Sequence, residues 1–94
     1  MMSGFFVSVL ISLAALNVNP PEGWMQNEME FKTKVECEAY IPEILPTIML
    51  NIHNWSGGAA QILKVECLQE HEWFARNMGL GHLPPPGWQP KSTE

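Results

Sequence analysis

Aspartate is absent from this 94-residue chain. All ten acidic residues are glutamates, and beyond the first dozen residues the only serines are Ser56 and Ser92, so an ordinary Ser-His-Asp site cannot be assembled. Basic residues are scarce as well. Five Lys+Arg leave a formal net charge of −5, a field that repels phosphate backbones and anionic lipid headgroups, so nucleic acid is not an expected partner. No apolar run reaches the roughly 20 residues needed to span a bilayer core. Cysteine is limited to two residues, and at 10.6 kDa the chain is one small domain with little area to bury. Nothing in the sequence implies a cofactor or a catalytic step.

What is present begins with an apolar segment. Phe5-Phe6-Val7, Val9-Leu10-Ile11 and Leu13 are relieved only by Ser8 and Ser12, which is the length and texture of the apolar region of an export signal. Ser12-Leu13-Ala14 meets the small-residue rule for cleavage before Ala15. No Lys or Arg precedes the run, and no cysteine near Ala14 offers a lipid attachment point. Residues 1–14 are therefore read as a signal peptide and the location as secreted or periplasmic, with no membrane contact after cleavage. Two other uses of the segment stay open: an uncleaved anchor over residues 5–18, or a core helix of the mature chain. On this reading residues 15–23 are a proline-containing linker, 24–80 the folded domain and 81–94 a proline-rich tail.

In the domain, Trp24 to Lys32 alternates as a strand does, with Met25, Met29 and Phe31 on one face and Trp24, Gln26, Glu28 and Glu30 on the other. Thr33-Lys34-Val35-Glu36 is a capping box that starts a helix at Lys34. Cys37, Ile41, Ile44, Ile48, Ile52 and Trp55 then recur at steps of three and four, a single apolar stripe. Pro42 and Pro46 interrupt this helix but project from the side opposite the stripe, where a missing hydrogen bond is best tolerated. The pattern predicts a kinked helix over about residues 34–54, or two shorter helices broken near 41–45. Ser56-Gly57-Gly58 ends it. A second alternation, with Leu63, Val65 and Cys67 inward and Ile62, Lys64 and Glu66 outward, predicts a strand parallel to the first. Residues 68–78 form a short helix with Phe74 and Met78 inward, stopped by Gly79 and Gly81. The expected class is α+β: a strand-helix-strand unit on a minimal sheet, followed by a short helix and an extended tail.

Two periodicities, one of 3.6 and one of 2, aim Cys37 and Cys67 at the same core, and in a small exported protein an even cysteine count means a bridge. Zinc is the alternative use of these residues, with Cys37, Cys67, His71 and His82 as four ligands. Their spacing is far from the paired short spacings of structural zinc sites. His53 reads as a partner of the helix C-terminal dipole. Asn54-Trp55-Ser56 matches the N-glycosylation triplet. Ser56-Gly57-Gly58-Ala59-Ala60 follows a helix instead of preceding one, so it is a linker and not a phosphate loop.

Trp55 and Trp73 read as core. Trp24, on the outward strand face, and Trp88, in the tail, are the candidate binding surface. Pro20-Pro21-Glu22-Gly23-Trp24 is echoed by Pro84-Pro85-Pro86-Gly87-Trp88, and the two flanks together suit protein binding.

The order of export signal, Trp-bearing strand, F-x-T-x-x-E-C (Phe31, Thr33, Glu36, Cys37), amphipathic helix and strand ending in Cys67 resembles short uncharacterised exported one-disulfide proteins of bacterial, especially marine, and phage genomes. The resemblance covers about residues 5–68 and implies no activity. The expectation is a small exported, non-catalytic interaction or inhibitor module for a protein partner. A membrane-anchored or virion-associated component and a small metal-binding protein are the alternatives. A two-stranded sheet leaves open edges, which a homodimer would complete.

Overall fold

The computed structural model describes residues 4–82. Strand β1 (Phe5–Ser12) leads through a short 3-10 turn (Ala14–Leu16) into β2 (Glu22–Phe31). Helix α1 (Lys34–Ser56), strand β3 (Gln61–Gln69) and helix α2 (Glu70–Gly79) follow. The three strands form one antiparallel sheet in the order β2-β1-β3. The class is α+β.

The apolar segment at the start of the chain is the central strand. Val7, Val9 and Ile11 face α1, while Ser8 and its even-numbered neighbours face the opposite side, and both sets are buried or half-buried. A strand covered on both faces reads as a nearly continuous apolar run, which periodicity alone cannot distinguish from other apolar segments. This corrects the division that starts the folded unit at residue 24: β1 belongs to the packed unit, and residues 13–21 connect two antiparallel neighbours instead of leading into a separate domain. β2 and β3 run parallel, as expected, but β1 lies between them and pairs with both. The expected strand-helix-strand unit is thus split, with α1 crossing two strand widths.

Two irregularities redirect side chains. Between Phe6 and Ser8 the partner on β2 moves from Glu30 to Gln26, so β2 carries two additional residues there. Asn27 Oδ1 accepts a hydrogen bond from the Met29 amide (3.1 Å) within this bulge. On β3 the partner of Leu10 is Lys64 and that of Ile11 is Ile62. Leu63 is therefore the extra residue, and a one-residue bulge reverses the alternation beyond it. Val65 and Cys67 point into the core as expected, but Ile62 packs inward and Leu63 is exposed, the reverse of the simple alternation.

α1 is one helix through both prolines, whose side chains are exposed. Thr33 Oγ1 accepts from the Glu36 amide at 3.1 Å, and Gly57, at φ 64°, closes the other end in the left-handed conformation that glycine adopts without steric cost. Cys37, Ile48 and Ile52 are buried on the stripe, with Ile41 and Ile44 packed beside them. Trp55 lies on the same stripe yet is 62% exposed, which corrects its reading as core. The reason is length: 23 helical residues extend roughly 35 Å, whereas the eight residues of β1 extend only about 27 Å, so the last turn overhangs the sheet.

Cys37 and Cys67 form a disulfide with Cα atoms 6.1 Å apart, joining α1 to β3 at the centre of the core cluster. α2 starts with a capping box in which Gln69 and Glu72 satisfy each other's backbone amides. Phe74 is half-buried, but Met78 is exposed and does not reach the core.

Candidate functional site

α2 packs beside the start of β2, and its side chains take over the backbone there. Asn77 Oδ1 accepts from the Trp24 amide at 2.8 Å, and Asn77 Nδ2 donates to the Trp24 carbonyl at 3.1 Å. One side-chain amide thereby occupies both backbone groups of an edge residue, as a neighbouring strand would. Trp73 Nε1 donates to the same carbonyl at 2.7 Å, and His82 Nε2 lies 2.7 Å from the Glu22 carbonyl. The Arg76 guanidinium sits 5.0 Å from the centre of the Trp24 ring and bonds Glu66 on β3 at 2.9 Å. These contacts blunt the β2 edge over residues 22–24. Trp24 is only 7% exposed, so its place in a recognition surface is corrected: the sheet face that alternation marks as outward is covered by α2.

Asn77→Ala is expected to lower stability by roughly 1–2 kcal/mol, because it leaves the Trp24 amide without its partner while Trp73 still serves the carbonyl. Thermal denaturation together with hydrogen exchange at the Trp24 amide checks this, and unchanged exchange there refutes it.

The second feature is a cleft on the other face of the sheet. α1 packs chiefly on β1 and β3 and leaves the β2 side partly open. A space of about 240 Å³ remains between Met25–Glu28 of β2 and Ile48, Asn51 and Ile52 of α1, floored by Val7 and Val9. Aliphatic side chains form its base, and Asn27, Glu28 and Asn51 stand at its rim. Gln26 Nε2 is buried with no hydrogen-bond partner among the described residues, as is His71 Nδ1. The volume lies below the roughly 300–1,000 Å³ typical of small-molecule and cofactor sites. It is the size for one or two side chains.

Trp88 lies outside the described residues. The disulfide removes the zinc alternative: sulfurs bonded to each other cannot act as thiolate ligands, and His82 is engaged at Glu22. Among the described residues no group of three or more His, Cys, Asp or Glu is placed to hold a metal ion. No described helix is long and apolar enough to cross a membrane. Asn54 is exposed on the last turn of α1.

The sequence reading missed Trp73, Arg76 and Asn77 as a set. Their i, i+3 and i+4 spacing marks one helical face, but no local signal links that face to Trp24, some 50 residues away. Compared with protein families, curated proteins and solved structures, the chain matches none of them.

Proposed function

We propose that the chain is a small exported, disulfide-stabilised binding module without a catalytic step, whose cleft between β2 and α1 takes an apolar side chain from a basic protein segment. The observation that carries this reading is the cleft: aliphatic at its base, sized for side chains, and bordered by Glu28. Glu22 and Glu30 of the same strand stand opposite Ser12 and Phe6, on the other face of the sheet. In a chain of net charge −5 Glu28 at the rim favours a partner carrying Lys or Arg next to its apolar anchor. Exposed Met25 and Met29 on β2 add adaptable apolar surface near the cleft.

The location is secreted or periplasmic. A buried disulfide is a bond of oxidising compartments, and the sheet requires β1, so export has to leave that strand attached.

Selection of displayed random peptides on the oxidised full chain tests the proposal. Enriched peptides are expected to pair an apolar residue with Lys or Arg. Asn51→Trp, which fills the cleft, is expected to weaken them at least roughly tenfold, and Glu28→Gln is expected to weaken them less, by an amount that shrinks with added salt. Peptides that bind the Asn51→Trp variant as tightly as the parent chain would place recognition elsewhere.

A further inference from the structure

The sheet has two edges, and they are not alike. The β2 edge is bulged at residues 27–29, carries three glutamates, and has its backbone at Glu22 and Trp24 occupied by His82 and Asn77. Each of these opposes pairing with another strand. Over residues 62–68 of β3, by contrast, no side chain among the described residues bonds the outer backbone edge in the way that Asn77 bonds β2, and the charges alternate in sign, Lys64 followed by Glu66.

We propose that a second copy of this chain pairs with the β3 edge, antiparallel, about a two-fold axis through Val65. Lys64 of each copy then lies opposite Glu66 of the partner subunit. The register follows from counting. A two-fold axis normal to the sheet pairs residues whose numbers sum to an even value, because directly opposite residues in an antiparallel pair share a face. With Val65 opposite its own copy, both Lys64-Glu66 pairs are attractive. A shift of the axis to Lys64 sets two lysines face to face, and a shift to Glu66 sets two glutamates face to face. Opposite charges across a strand pair stabilise and like charges destabilise, so one register among the three is favoured. Glu66 already accepts from Arg76 at 2.9 Å, which holds its carboxylate on that face.

The helix above supports the same axis. Tyr40 of α1 contacts the Phe31 ring of β2 at 5.2 Å, and Asn51 lines the β2 cleft, so this flank of α1 faces β2. At about 100° per residue the opposite flank carries Leu45 and Met49. Met49 is 53% exposed. With strands about 4.8 Å apart, a helix lying over β1 and β3 comes within roughly 10–14 Å of its copy, and these two side chains face the gap. Exposed Leu63 falls opposite Cys67 of the partner subunit at the end of the paired stretch, where the bulge terminates it. This inference does not rest on the peptide cleft, which opens on the far flank of α1.

Sedimentation velocity of the oxidised full chain over a range of concentrations tests it. A concentration-dependent dimer is expected. Lys64→Glu and Glu66→Lys are each expected to weaken it at least roughly tenfold by placing like charges opposite each other, and the two substitutions combined are expected to restore it. Circular dichroism of each variant establishes that it is folded, and the combined variant separates the pairing from loss of the Arg76 contact. A monomer at every concentration overturns the proposal, as does a dimer that the charge exchange fails to restore. Species that keep growing with concentration would indicate β3-to-β2 contacts between copies and would also overturn it.

Discussion

A chain that begins at Ala15 is expected to be unfolded. Both strand pairings of the sheet are made by β1, so its removal leaves β2 and β3 with no hydrogen-bonded neighbour. It also takes away Val7, Val9 and Ile11, three of the seven buried residues of the core cluster. At roughly 1.5–3 kcal/mol for each fully buried aliphatic side chain, their loss amounts to about 5–9 kcal/mol. A small domain has only about 5–15 kcal/mol in total. The truncated chain should show neither a cooperative thermal transition nor strand signal in circular dichroism. Adding a synthetic peptide of residues 4–14 should restore both, because the missing strand is a single continuous segment. A cooperatively folded truncated chain would mean that the sheet is built without β1.

Loss of the Cys37–Cys67 bridge is the second large expected effect. The bond closes a loop of 30 residues, and releasing it returns chain entropy to the unfolded state worth about 3.5 kcal/mol in the simplest model. A core of this size has little to offset that loss. Cys37→Ala with Cys67→Ala is expected to lower the free energy of unfolding in urea by at least that amount, since the sulfurs also fill the centre of the core cluster. Both cysteines are almost fully buried, so alkylation of the native protein under mild reduction should be slow and should become fast only in denaturant. A loss below about 1 kcal/mol would place the stabilising core elsewhere.

Of the site, Ile48 and Ile52 are legible as inward-facing residues from the helical stripe, and strand alternation puts Met25 on the face opposite Trp24, where it stays exposed beside the cleft. The opening between them is not legible. It depends on α1 lying over β1 and β3 and so leaving β2 partly uncovered, which is a matter of packing angle. Trp24 shows the opposite error. Its alternation is read correctly, but alternation says only which face a residue takes, and α2 covers that face.

By itself the sequence determined the elements whose causes are local: the Thr33 cap, the apolar stripe of α1, the left-handed stop at Gly57, and the convergence of Cys37 and Cys67. Each rests on contacts within a few residues or on a strict period. Only the tertiary structure decided that residues 5–12 are the central strand, since a continuous apolar run is compatible with a signal, a helix or a strand buried on both faces. The bulge at Leu63 and the exposure of Trp55 were likewise decided there. The first depends on how β3 is matched to β1, and the second on the length of α1 relative to the sheet beneath it. Register and relative length are properties of pairs of elements, and no single segment carries them.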